Sequence, residues 1–363
     1  MSIRPRSALL NPNLQRPSAL NSTPRDPAAL WLDKNENLDS ILAGVLREVL
    51  ESVPQSALTT YPEAGELYRK LARWAGVSPQ SLLLTPGSDG AIRLTFEAFV
   101  EPGDSVVHTF PTFAMYPVYS QMFGARVCAA EYQRTEQGPR LDLERMIESV
   151  REHKPKLLCL PNPDSPTGTI LRPNILRELL RQCEKVGAVL LLDEAYHPFY
   201  DWSAVSWTES SANLIVARTF AKAWGVAGLR IGYAVANPAT IALLHKMRPM
   251  YEVSTLAVEF MSRMIEKSGE MAQAVARINS GKAFFAQSMC SAGFEVLPGE
   301  GNFTHVAFGE HAGAVHASLS GKVLYRARTD HPCLAGYSRF SMAPEPIMAQ
   351  VVALIMRTGA NVG

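Results

Sequence analysis

The chain has 363 residues, 47% hydrophobic and 19% charged, which suits a large α/β domain with a smaller partner in an ordinary globular enzyme. Its formal net charge of +1 supplies no electrostatic footprint for nucleic acid or a membrane surface, and no run approaches the ~20 apolar residues of a bilayer span. Five scattered cysteines (Cys128, Cys159, Cys183, Cys290, Cys333) lack C-x-x-C spacing and the histidines lack metal-ligand spacing, which argues against a disulfide framework and a metal site.

The start, Met-Ser-Ile-Arg-Pro-Arg-Ser, has no apolar signal segment, so a reducing, cytoplasmic setting is expected. Residues 1–30, rich in Pro, Ser and Asn, read as an irregular arm lying over the protein or over a partner subunit. Apolar residues at helical spacing predict helices over Leu38–Val53, closed by Pro54, and over Glu66–Trp74. Strand-like runs follow at Ser105–His108, Arg126–Ala130, Lys156–Leu160, Ala188–Leu192, Leu214–Ala217 and Ile231–Ala236, alternating with helical segments. That alternation predicts βαβ units and a mostly parallel sheet flanked by helices, with ligands at the carboxyl ends of the strands. Beyond about residue 245 the pattern changes to helices over Thr255–Ser268 and Met271–Ala292. Shorter strand-like pieces follow at Phe294–Leu297, Thr304–Phe308, Val323–Ala327 and Ser338–Met342. The predicted organisation is an arm over 1–30, a large domain over 31–245 and a small α+β domain over 246–363 that takes up part of the arm.

The residues that follow the strands carry the chemistry. Arg218-Thr-Phe-Ala-Lys222 and Gly225-Val-Ala-Gly-Leu-Arg230 place one lysine in an apolar, glycine-punctuated stretch, three residues after Thr219 and eight before Arg230. Desolvation keeps an amine partly neutral, as condensation with an aldehyde requires. A surface lysine on an amphipathic segment is the competing account. Asp193-Glu194-Ala195-Tyr196 ends an apolar strand. Asp193 is either a helix cap or the partner of a protonated pyridine nitrogen, and Tyr196 either a core aromatic or a donor to a cofactor oxygen. Thr85-Pro86-Gly87-Ser88-Asp89 precedes a helical run through Phe99 and fits an anion site at a helix start, or a plain strand–turn–helix. Phe113 is placed to stack on a ring or to fill the core, and Asn162-Pro163-Asp164-Ser165-Pro166-Thr167-Gly168 is a turn-rich loop after another strand.

In this order, these segments resemble the fold-type I pyridoxal-phosphate (PLP) enzymes of aminotransferase class I/II, most closely the histidinol-phosphate aminotransferase branch. The resemblance runs from Leu32-Asp33-Lys34-Asn35-Glu36-Asn37, through Tyr61-Pro62-Glu63 and the segments above, to Ser338-Arg339-Phe340-Ser341, nearly the whole chain. It implies the PLP-transferase fold, with Lys222 bonded to the cofactor and later moving a proton, Asp193 at the pyridine nitrogen, Tyr196 at the phenolate oxygen and Phe113 on the ring. Ser88, Asp89, Thr219 and Arg230 would take the phosphate, joined by Tyr61 from the second subunit of a homodimer. Arg339 would take the substrate carboxylate as a bidentate fork, with Arg326 and Asn37 also at the substrate. The implied reaction moves an amino group from an amino acid or phosphorylated amine to a 2-oxo acid such as 2-oxoglutarate.

Three departures from the family pattern stand out. Ser165 replaces the asparagine expected before Pro-Thr-Gly, so that its contact is shortened at Ser165, lost, or taken over by Asn162 or Asp164; Leu38-Asp39 replaces a Pro-Tyr-Gly-like continuation; and Ala221 precedes the lysine where serine is usual. The first two raise an alternative, a PLP decarboxylase of a phosphorylated amino acid of the threonine-phosphate or serine-phosphate type. A non-catalytic descendant would be expected to lack Lys222 or Asp193, and a nicotinamide dehydrogenase would need a strand–GxGxxG–helix fingerprint that is missing.

Overall fold

A computed structural model describes residues 4–12, 14 and 24–359. Most of the arm expected over 1–30 therefore lies outside the described residues. Of the part that is described, a short 3-10 turn at Ser7–Leu10 packs near the helix Met115–Met122, with the Arg6 guanidinium 5.6 Å from the centre of the Phe123 ring.

In chain order the elements are β1 (Leu30–Trp31), α1 (Ser40–Glu51), α2 (Gly65–Ala75), β2 (Leu82–Thr85), α3 (Gly87–Phe99), β3 (Ser105–Phe110), α4 (Met115–Met122), β4 (Arg126–Thr135) and β5 (Gly138–Leu141). There follow α5 (Leu143–His153), β6 (Leu157–Pro161), α6 (Pro173–Val186), β7 (Val189–Asp193), β8 (Leu214–Thr219), β9 (Gly232–Ala236), α7 (Pro238–Met247), α8 (Thr255–Met264) and α9 (Ser268–Ser291). The chain ends with β10 (Glu295–Leu297), β11 (Phe303–Ala307), α10 (Ala312–Leu319), β12 (Val323–Leu324), β13 (Tyr337–Ser341) and α11 (Glu345–Met356).

Eight strands form the central sheet in the order β2-β9-β8-β7-β6-β3-β4-β5. From β8 through β4 the strands are parallel, whereas β2, β9 and β5 pair antiparallel at the two sides. Both faces are covered, so β6 and β7 are buried at every position and read as unbroken apolar runs. Period-2 alternation still assigns each residue a side: Leu157, Cys159, Val189, Leu191, Ile215 and Ala217 pack in one cluster with α3, α4 and α7 residues, while Leu158, Leu160, Leu190, Leu192, Leu214 and Val216 join Met146 of α5 and Leu176 and Leu179 of α6. The carboxyl ends of β3, β6, β7 and β8 consequently meet at one edge, where Asp193 and Thr219 are the last strand residues.

A second sheet, β10-β11-β13, is antiparallel and packs with α9, on which α11 packs in turn. The predicted strand Val323–Ala327 is shorter than expected. Only Val323–Leu324 is extended, pairing in parallel with β1, while Arg326 makes an isolated bridge to Arg339. The predicted helix Thr255–Ser268 ends at Met264; a 3-10 turn at Ile265–Lys267 then passes the chain into α9. Asp39 explains how α1 begins and how it is tied down. Its Oδ1 accepts from Leu42 N at 2.7 Å as the N-cap, and its carboxylate receives both Nε and Nη2 of Arg277 on α9 at 2.6 and 2.8 Å.

Candidate active site

A cavity of about 320 Å³ opens at the carboxyl edge of the parallel strands. Its lining brings together Ser88, Asp89, Phe113, Ser165, Asp193, Tyr196, Thr219, Lys222, Arg230, Arg326 and Arg339, joined by Asp33, Lys34 and Asn35 from the segment after β1.

Lys222 stands in the turn after β8. Its Nζ donates to the carbonyl of Lys34 at 2.7 Å, and burial, with Arg339 and Arg230 nearby, pushes its pKa down to about 8. Burial acts oppositely on Asp193: against one hydrogen bond from Ala195 N at 3.0 Å, it pushes the carboxyl up to about 7, and Asp89 and Glu194 add to the shift. A buried carboxyl of this kind fits a cationic ring nitrogen, which would return it to the charged form. Behind Asp193, Glu194 receives Nε and Nη2 of Arg218 at 3.0 and 2.9 Å, and Ser203 and Ala204 N complete its shell, so the turn after β7 is braced from within the core.

A space that could hold an anion lies beside them. No side chain caps the N-terminus of α3, so the first N–H groups of this helix stay available. Gly87 has φ +75°, and a Cβ there would stand 3.0 Å from Nη2 of Arg230. Glycine thus leaves the space between helix start, guanidinium and the Thr219 hydroxyl open. Arg230 itself adopts φ +49° and is steadied by its bond to Ala227 O at 3.2 Å.

On the opposite wall, Arg339 of β13 and Arg326 both donate to the carbonyl of Asp33, at 3.1 and 3.3 Å. Nε of Arg339 is buried without a hydrogen-bond partner, as expected of a fork awaiting an anionic ligand. Phe113 lines the cavity with its ring edge-on to Tyr116 at 5.9 Å.

Two expected site residues stand elsewhere. Asn37 does not line the cavity: its Nδ2 donates to Ala223 O and its Oδ1 accepts from Asp39 N, both at 2.9 Å, so it works as a backbone brace. Tyr61 is 74% exposed and stacks flat on Tyr251, 4.5 Å between ring centres. Of the three residues left open in the 162–168 loop, only Ser165 reaches the cavity, next to Tyr196. Asn162 Oδ1 accepts from Leu171 N, and Asp164 is turned inward to Thr167 and Thr109. Leu38 packs against the core and Asp39 is engaged by Arg277, so neither substitutes for the missing aromatic.

The residue missed in the sequence is Asn35. It is 2% exposed with φ +56°, and its Nδ2 donates to the Tyr196 hydroxyl at 2.8 Å. Asn-Glu-Asn offered two asparagines, and only the left-handed turn at the first decides which one faces the site.

Comparison with known proteins gives the family and the fold. The family model described as aminotransferase class I and II matches residues 27–353. The histidinol-phosphate aminotransferase of Caldanaerobacter subterraneus subsp. tengcongensis is 33% identical over 296 residues, covering 81% of this chain and 82% of the relative. That of Pectobacterium carotovorum subsp. carotovorum is 30% identical over 336 residues, covering 90% of each. The crystal structure of the Sinorhizobium meliloti histidinol-phosphate aminotransferase in complex with pyridoxal-5'-phosphate superposes with a TM-score of 0.77 over 91% of each chain at 24% identity, a likeness of fold. The chain belongs to the class I and II aminotransferase family and is a transaminase.

Proposed function

We propose that the cavity binds PLP and that the enzyme, as a homodimer, moves the amino group of a phosphorylated amine or amino acid of the histidinol-phosphate kind to a 2-oxo acid such as 2-oxoglutarate. The observation that carries this reading is the meeting, in one cavity, of a lysine pushed down to about 8, a buried carboxyl pushed up to about 7 and an uncapped helix start beside Arg230. The curated relatives supply the substrate class, each being named a histidinol-phosphate aminotransferase.

PLP, when bound, supplies an electron sink for the charge left at the substrate Cα. The chain's own residues do the rest. Lys222 would hold the cofactor's aldehyde, and its Nζ, weakened as a base by burial, would accept the proton from the substrate Cα and give it back. Asp193 would keep the ring nitrogen protonated, Tyr196 and Ser165 would hold the phenolate oxygen, and Phe113 would stack on the ring. The α3 start with Ser88 and Asp89, together with Thr219 and Arg230, would take the phosphate. Arg339, through its unpartnered Nε, would orient the carboxylate of an amino acid or 2-oxo acid, or the phosphate of an amine that lacks one, and Arg326 would add charge beside it.

The exposed position of Tyr61 supports the homodimer. Tyr61 and Tyr251 stack on each other at the surface, and Leu58 and Met250, close to them in sequence, are 73% and 79% exposed, apolar surface suited to burial against a second copy. Tyr61 would then reach the phosphate of the partner's site.

Mass spectrometry of products tests the reading. PLP-loaded enzyme incubated with histidinol phosphate or O-phosphoserine is expected to form at most one equivalent of keto product alone, and to turn over repeatedly with glutamate only when 2-oxoglutarate is present. An amine lighter than O-phosphoserine by carbon dioxide, formed without any acceptor, would make the enzyme a decarboxylase.

A further inference from the structure

The Tyr196 oxygen has a partner whose orientation the hydrogen-bond network determines. Asn35 N donates to Ser341 Oγ at 2.7 Å, and that hydroxyl lies 3.0 Å from Asn35 Oδ1. Having accepted the backbone N–H, Ser341 directs its single proton to Oδ1. Turning the amide over would place Nδ2 against Ser341 and leave a hydroxyl proton without an acceptor at a fully buried residue. The orientation seen is therefore the one that satisfies every group, with Nδ2 donating to Tyr196 at 2.8 Å. Asn302 Nδ2 holds the Asn35 carbonyl at 3.0 Å, and Ser341 N is bonded to Leu32 O at 2.8 Å, so the left-handed turn at Asn35 is fastened on both sides.

We propose that Asn35 is a positioning residue. Its amide donates into the Tyr196 oxygen, so the phenol's own proton is kept for the cavity and for the cofactor oxygen placed there. The inference rests on the reading of the cavity as a PLP site. A proton donated by Tyr196 stabilises the anionic form of the cofactor oxygen and lowers the pH at which the lysine-bound cofactor loses its proton. Without Asn35 the hydroxyl is free to turn away, and that pH rises.

The test is a pH titration of the absorption band of the PLP-loaded enzyme. Asn35→Gly removes the amide, adds no charge and accommodates a φ of +56°. It is expected to move the titration midpoint upward by about one to two pH units, the size of one charge-assisted hydrogen bond. Asn35→Asp, which replaces the donor with an acceptor of the same shape, is expected to move it at least as far. Tyr196→Phe should show the full shift, and adding Asn35→Gly to it should move the midpoint no further, because Asn35 acts through Tyr196. A midpoint unchanged in folded, loaded Asn35→Gly, or a full further shift in the double variant, would overturn the proposal. A wild-type protein without a Lys222-dependent absorption band would overturn the cofactor reading first, and the proposal with it.

Discussion

The burial that makes Lys222 a weaker base makes Asp193 a weaker acid, so one apolar setting prepares both groups. An amine attacks an aldehyde only when unprotonated. Below pH 8 the rate of PLP capture by the apoprotein should therefore rise about tenfold per pH unit and level off above it, as followed by stopped-flow absorbance. A profile still climbing past pH 10 would place Lys222 in water. Lys222→Ala should lower turnover by about 10⁴-fold or more while leaving measurable PLP binding at the phosphate cradle. Arg339→Lys loses the fork that holds a carboxylate, and kcat/KM should fall by roughly 10- to 100-fold in steady-state assays. The placement of Lys222 and Asp193 at the cavity was legible in the sequence because each stands at or just beyond the end of an apolar strand, whereas Arg339, inside β13, was legible only through the family resemblance. The roles of Asn35 and Asn37 were not legible, since they depend on a left-handed turn fastened by Ser341 and Asn302, more than 260 positions away by hydrogen-bond separations of 306 and 267.

Strands buried on both faces announce themselves as apolar runs, which is why β6, β7 and β8 fall within a residue or two of expectation. Elements defined by contacts are harder to read. β4 runs on to Thr135 with mostly exposed residues because β5 pairs with it, and the break between α8 and α9 carries no proline. The start of α3 shows how elements build the cradle. It packs directly on β9, where a Cβ on Gly232 would lie 2.5 Å from the carbonyl oxygen of Arg218 and 2.6 Å from the carbonyl carbon of Gly87. Backbone on both sides cannot yield as a side chain would. Gly232→Ala should destabilise the protein by about 2–4 kcal/mol in urea unfolding and weaken PLP binding, because relief of the clash moves the α3 start. A variant as stable as wild type, with unchanged cofactor affinity, would contradict this packing.

Buried ionisable groups of opposite kind shape the stability of the whole apoprotein. His197 and His305 are pushed down to about 3 by burial, so below pH 6.5 the unfolded chain binds protons that the folded one refuses, and stability falls as pH drops. Asp164 and Asp193, raised to about 7, do the reverse: between about pH 4 and 7 the folded state holds protons the unfolded state has lost, and stability rises as pH drops. The two pairs offset between pH 6.5 and 4, but burial also lowers the pKa values of His108, His245 and His316, which tips the balance towards loss as pH drops. Urea midpoints of the apoprotein should therefore decline gradually from pH 6.5 to 4; a rise in stability over that range would contradict the assignment. The most direct test of the central claim is borohydride reduction of the PLP-loaded enzyme followed by peptide mapping. The account predicts that the cofactor is locked onto the peptide carrying Lys222 and onto no other lysine, and that Lys222→Ala removes the label. A label on Lys34 or Lys282, or none at all in loaded wild-type protein, would contradict it.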